Sequence, residues 1–343
     1  MDLSRDRCNI IKGLAILLIM LHNFVDVLLN INCNEMAYSM KSTKIFLDHL
    51  FTADAFWYIL SFCGWIGVPL FFFLSGYGLT KKYDDKSTLK PGTFIKNHVI
   101  KLWLLLVPIY LVFYCLYTTN IRSAITQLTF TNVILSYGKN GIFIDPGPYW
   151  FFGAILQFYL LFIVFRKMKT RWLWVLTAVF LVFNYCILFC ADATLMKWTR
   201  HNFLGWGATF VLGIIAARSK LDISKRTNAL LCAASLVGLC ACLVIKWLAP
   251  MVEVCTIVFL VTITRSLSAK WLCFIGVISP SIFALHPLVR MLFYSLFPSS
   301  ADYPLITTAI YAAIVILASW FHHMILNKTH QWLKNRELLR KTA

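Results

Sequence analysis

The stretch Ile10-Ile11-Lys12-Gly13-Leu14-Ala15-Ile16-Leu17-Leu18-Ile19-Met20-Leu21-His22-Asn23-Phe24-Val25-Asp26-Val27-Leu28-Leu29 decides the fold. A bilayer crossing needs about 20 apolar residues in a helix, and this run supplies them behind Arg5 and Arg7. Its start has the look of a signal peptide. No small-residue cleavage site follows, so it is expected to stay in place as a span. With this run read as 9–30, further spans are expected near 56–80, 99–118, 149–165, 172–190, 203–217, 228–247, 249–267, 272–293 and 303–326. The runs at 149–165 and 203–217 are short and read as tilted or partly re-entrant.

Composition points the same way. Of 343 residues 60% are hydrophobic and mean hydropathy is +0.74, whereas soluble domains sit near ~45–50% apolar. A lipid-facing surface absorbs that excess; a water-facing one would aggregate. No Gly/Ser/Pro-rich linker divides the chain. The expected fold is therefore all-α, a polytopic transmembrane helical bundle of about ten spans forming one domain over 1–343.

The net charge of +18 admits two readings. A nucleic-acid binder would gather its charge on one face, but here it lies in short clusters between apolar runs. With the N-terminus inside, the outer segments hold Lys41, Lys44, Arg122, Lys139, Lys197, Arg200, Lys246 and Arg290, and the other 24 of the 32 basic residues fall inside. That asymmetry follows the positive-inside rule and places both termini in the cytoplasm. No nucleic-acid partner is expected. Eleven cysteines without a CxxC pair argue against zinc or a disulfide framework. No metal site is expected.

Within the first run, His22 lies roughly 18 Å along the helix from Ile10, past the bilayer midplane. A titratable ring there is costly unless it faces protein or water. Asp26, one turn on, shares its face and is expected to hold the imidazole in one tautomer, which suits a general base. Hydrogen-bonded packing glue is the other reading, and Asn23 and Asp26 beside His22 weigh against it. The second run, Gly64-Trp65-Ile66-Gly67-Val68-Pro69-Leu70-Phe71-Phe72-Phe73-Leu74-Ser75-Gly76-Tyr77-Gly78, has a proline expected to interrupt the helix ladder. Ser75 lacks a Gly-x-Ser-x-Gly elbow and is expected to bond its own backbone.

These two stretches, in this order, resemble the acyltransferase-3 family, bacterial membrane O-acyltransferases that modify cell-surface carbohydrate. Tyr149-Trp150-Phe151-Phe152 with Gln157-Phe158-Tyr159 resembles the family's Trp-Phe-Leu and Gln-Phe-Tyr segment. Ser279-Pro280-Ser281-Ile282-Phe283-Ala284-Leu285-His286-Pro287-Leu288 resembles its late Ser-x-x-Tyr-x-x-His-x-Pro segment. The resemblance implies an acyl donor, usually acetyl-coenzyme A, used from the cytoplasmic side, and a hydroxyl acceptor. It implies no bound cofactor, a bacterial inner-membrane location, and an essential first-span histidine. Two departures stand out. The family has Arg eleven residues before its His; here Lys12 is ten before His22, and Asn23 holds the strict position. The catalytic role falls to His22 because Asn23 cannot take up a proton. Lysines also replace the arginines usual after the second span, in Phe94-Ile95-Lys96-Asn97-His98-Val99-Ile100-Lys101.

The expected site follows. His22, Asn23 and Asp26 form the catalytic group, and Lys12, Lys96, His98 and Lys101 hold the donor. Ser75, Tyr149, Trp150, Gln157 and His286 stand near the substrates. Tyr149 and Trp150 read either as an interfacial belt or as a stacking surface for a sugar, and His286 as cavity lining or packing. Direct transfer and an acyl-enzyme on Ser75 or His22 both remain open. A transporter or flippase for a glycolipid or acylated product is the rival reading, though the sequence shows neither an internal repeat nor an intramembrane acidic ladder. A polyprenyl-phosphate sugar transferase would want paired metal-binding acids in an outer loop. Glu35, Asp48, Asp54, Asp145, Asp192 and Asp302 include no Asp-x-Asp.

Overall fold

The computed structural model describes residues 3–33, 38–84, 89–116, 121–135, 147–219, 223–297 and 300–342. Glu35 and Asp145, two of the acids weighed above, lie outside them. The described chain is helical throughout: α1 (Arg5–Leu28), α2 (Met40–His49), α3 (Ala55–Cys63), α4 (Gly67–Tyr83), α5 (Pro91–Leu116), α6 (Ile121–Leu128), α7 (Asn132–Leu135), α8 (Trp150–Phe165), α9 (Thr170–Cys190), α10 (Ala193–Arg200), α11 (Phe203–Arg218), α12 (Lys225–Val244), α13 (Val252–Ile263), α14 (Lys270–Leu296) and α15 (Pro304–Thr342). A helix or helix pair stands at each of the ten expected spans. Eight are long and apolar enough to cross a membrane among the described residues. The two short runs became α8 and α11, 16 residues each, which rise only about 24 Å. Both are sheathed by longer neighbours. The chain is a polytopic membrane bundle.

Helix starts follow local chemistry. Ser4, Asp192, Asn202 and Ser224 each accept from a backbone N–H of the first turn of α1, α10, α11 and α12, satisfying donors that have no partner inside the helix. The expected break at Pro69 is corrected by the structure. Pro69 sits in the first turn of α4, where a missing N–H costs nothing. The interruption falls earlier, at a 3₁₀ turn over Gly64–Ile66.

At the centre, α1 packs along α14, and α4 along α11, with α3 and α4 also against α1. A β-carbon on Gly276 would stand 1.8 Å from the Asn9 carbonyl oxygen. The α1–α14 crossing therefore requires hydrogen there, the small-residue contact common between membrane helices. By contrast, α12 and α15 turn Leu230, Val237, Leu305 and Leu317 outward, as lipid-facing helices do.

One end of the bundle collects the basic connections. Arg218 forks onto Asp84 at 2.7 and 2.9 Å and donates to the carbonyls of Arg166 and Met168. Arg7 reaches the Arg265 carbonyl. The start of α1 and the middle of α15 share this end, since Arg5 and Asn327 line one cavity.

Candidate active site

His22 is buried, 2% exposed, near the far end of α1. It fits because the 3₁₀ turn presents Gly64: a β-carbon there would stand 2.0 Å from His22 Cβ and 2.7 Å from its Cγ. Three residues earlier, the Ser61 carbonyl oxygen meets His22 Nδ1 in a short hydrogen bond. A carbonyl only accepts, so Nδ1 carries the proton and the neutral ring keeps its lone pair on Nε2. Among the described residues Nε2 has no partner.

Asp26 acts differently from expectation. It does not hold the imidazole directly. Its Oδ1 accepts from Ser61 Oγ at 2.5 Å and from the Cys33 amide at 3.3 Å, so the carboxylate fixes Ser61, and the Ser61 carbonyl fixes His22. Asn23 turns its amide back to the Ile19 carbonyl at 2.8 Å; its own carbonyl accepts from Arg290 Nη1 at 2.9 Å. Its side chain therefore plays a local helical part.

His286 is fully buried on α14. Its Nδ1 donates to the Ile282 carbonyl at 3.1 Å, and its Nε2 is buried without a partner. It lies within Coulombic reach of His22 and Arg290. The structure thus brings His22, Asp26 and His286 together.

Of the other expected substrate residues, Tyr149 borders this group, within Coulombic reach of Arg290. Tyr149 is buried and its hydroxyl donates to the Ala284 carbonyl. Trp150, 5% exposed, stacks on Trp206 and His201 with centroids 5.8 and 5.3 Å away. Both are core aromatics, neither an interfacial belt nor an open platform. Gln157 Oε1 accepts from the Phe203 amide at 2.8 Å, capping α11. Ser75 makes no hydrogen bond among the described residues, contrary to the backbone bond expected. Since α4 runs antiparallel to α1, Ser75 lies about 16 Å along the axis from the turn beneath His22. That puts it at the basic end.

At that end a cavity of about 650 Å³ is lined by Arg5, Lys12, Tyr77, Lys81, His323 and Asn327, among others. Lys12 and His22 sit on one helix about 15 Å apart. The remaining donor candidates lie on α5. His98 is packed against Phe94 and Tyr159 at 4.2 and 4.4 Å, with Nδ1 on the Phe94 carbonyl. Lys82 and Lys101 interact with it electrostatically, and Lys101 also with His330, one turn of α15 beyond Asn327. Lys96 is exposed. Cations from α1, α4 and α5 thus gather at one end, with α15 histidines among them.

A family model described as an acyltransferase domain matches residues 6–323. The chain belongs to the acyltransferase-3 family. It is therefore a membrane acyltransferase, an enzyme moving acyl groups other than aminoacyl groups. No curated protein and no solved structure matches it.

Three features escaped the sequence reading. Ser61 gave no signal, because its role rests on a backbone carbonyl. Arg290 was grouped with outer-loop charges, yet α14 continues six residues past it to Leu296. The apolar run Met291-Leu292-Phe293-Tyr294 was the available clue. Arg200, also assigned to a loop, is fully buried and ion-paired with Glu253. Its guanidinium lies 3.8 Å from the centroid of Trp206, and Trp65, next to Gly64, borders it. This pair braces α10, α11 and α13 against the turn that seats His22.

Proposed function

We propose that the enzyme transfers an acyl group, most simply acetyl, from acyl-coenzyme A to a hydroxyl of a surface glycan or lipid-linked saccharide, with His22 as general base. The observation that carries this reading is the anchored imidazole: Nδ1–H tied to the Ser61 carbonyl and Nε2 left as a proton acceptor at intramembrane depth. His286 also has an unpartnered Nε2; what sets His22 apart is the Asp26–Ser61 chain behind its Nδ1–H.

The donor enters the basic cavity, where Lys12, Lys81 and Arg5 face its phosphates. Lysine supplies point charge without arginine's bidentate fork, so donor binding is expected to be sensitive to salt. Lys101 extends the same field, with His98 packed beside it. The acyl arm then has about 15 Å of α1 to travel between Lys12 and His22. The acceptor arrives from the opposite end, and its hydroxyl gives a proton to Nε2 as the oxygen attacks the thioester carbonyl. General-base help of this kind contributes ~10²–10⁴-fold; holding both substrates in a site shielded from water supplies much of the rest. Ser75 lies towards the basic end, far along the axis from His22, which favours direct transfer over an acyl-serine. The positive-inside asymmetry supports a donor cavity facing the cytoplasm and an acceptor side facing outward across a bacterial inner membrane.

The test is incorporation of label from acetyl-coenzyme A into a host glycan extract by membranes holding the enzyme, compared with membranes lacking it. Enzyme-dependent label in a base-labile ester supports the reading. Glycolipid translocation without ester formation would overturn it in favour of a flippase.

A further inference from the structure

A base alone leaves half of the reaction unattended. As the acceptor oxygen attacks, negative charge develops on the former carbonyl oxygen, and a site excluded from water must supply donors for it. None of the lysines described above is near His22, and the Nε2 of His286 offers a lone pair, which would repel an oxyanion.

Arg290 has the required chemistry. It lies on α14 beside the His22 segment, with Nη1 anchored at 2.9 Å on the carbonyl of Asn23, the residue next to the base. One anchored N–H orients the planar guanidinium. Its other N–H groups have no partner among the described residues, and it forms no ion pair there. The neighbouring polar groups are already engaged. Tyr149, Tyr294 and Tyr311 donate their hydroxyls to the carbonyls of Ala284, Phe24 and His286, and Asp26 Oδ1 accepts from Ser61 and Cys33. Arg290 acts electrostatically on both His22 and His286. Arg290 is half-buried, so a permanent cation with spare donors stands beside a neutral base and stays accessible to a negative charge that develops during the reaction.

We infer that Arg290 is a catalytic residue that holds the oxyanion of the tetrahedral intermediate; this rests on the general-base reading of His22. The acceptor O–H proton passes to His22 Nε2, the O–C bond forms, and the carbonyl electron pair moves onto the oxygen held by Arg290. Collapse restores the carbonyl and breaks the C–S bond. The departing thiolate takes the proton back from His22, so nothing is oxidised or reduced.

The experiment measures kcat and both KM values for wild type, His22→Ala, Arg290→Gln, Arg290→Lys and Tyr294→Phe, each checked for folding by its thermal melt. Tyr294→Phe removes another α1–α14 tie, the 2.6 Å bond to the Phe24 carbonyl, and controls for a merely structural role. The expected result for Arg290→Gln is a kcat loss of ~10²–10³-fold with both KM values held. Arg290→Lys should recover part of it, and Tyr294→Phe should stay near wild type. Wild-type activity that needs His22 but survives Arg290→Gln, or one in which only the acceptor KM rises, would overturn the assignment while leaving the base intact. Activity indifferent to His22, or no activity in wild type, would remove the reading beneath it.

Discussion

Replacing Gly64 by alanine is expected to silence the enzyme without unfolding it. The added methyl would stand 2.0 Å from His22 Cβ, 2.7 Å from its Cγ and 2.8 Å from the Leu18 carbonyl oxygen. Ordinary contact begins at 3.4 Å, so α1 and the 3₁₀ turn must separate by about 1.4 Å or the imidazole must swing away. Either motion lengthens the short bond from Nδ1 to the Ser61 carbonyl. A 1 Å misplacement can cost on the order of 10²-fold in rate, whereas overpacking one methyl costs only ~1–3 kcal/mol of stability. The expected Gly64→Ala phenotype is thus a folded protein, shown by a modestly lowered melting temperature, with transfer reduced about 100-fold. Gly92, where a β-carbon meets nothing within 4 Å, gives the control: Gly92→Ala should transfer normally. Full activity in a folded Gly64→Ala enzyme would refute the claim that this turn seats the base.

Three further outcomes are expected. Ser61→Ala keeps the carbonyl but loses the 2.5 Å link to Asp26; kcat should fall about tenfold, less than for loss of the base itself, and Asp26→Asn should behave alike, with the double variant no worse than either. Lys12→Met and Lys81→Met should raise the donor KM severalfold, flatten its salt dependence and leave the acceptor KM unchanged, as donor titrations at two ionic strengths would show. His201, in the turn between α10 and α11, is pushed down to about 3 by burial, helped by Lys197 and Arg200. A histidine held neutral in the fold and free to protonate when unfolded contributes stability above its ordinary value of about 6.5. That contribution is lost as pH falls from there towards about 3. Melting temperatures from pH 8 to pH 5 should therefore drop more steeply for wild type than for His201→Gln.

The bundle was legible because bilayer crossing is written into composition: twenty apolar residues and flanking cations fix a helix before any partner is known. The site was legible only where a residue type is costly in place. His22 stood out as an intramembrane imidazole, and the structure seats its Nδ1 on the Ser61 carbonyl. Asp26 was grouped with it, but its hydrogen bonds run through Ser61, since side-chain spacing says nothing about a carbonyl arriving from another helix. Tyr149, Trp150 and Gln157 carried the motif resemblance yet proved to be core and cap, because aromatic runs and a lone amide read alike in packing and in binding. Arg290 and Arg200 were lost for one shared reason. Counting charges by segment treats every arginine near a helix end as exposed, and depth is visible only once the helix ends are known.

The central claim is that His22, and not the residue in the family's usual register, takes the proton. Side-by-side transfer rates for His22→Ala and Asn23→Ala test it most directly. The account predicts a loss of ~10²–10⁴-fold for His22→Ala and near wild-type transfer for Asn23→Ala, whose side chain only returns to the Ile19 carbonyl. Dependence on the Asn23 side chain with indifference to His22 would contradict it.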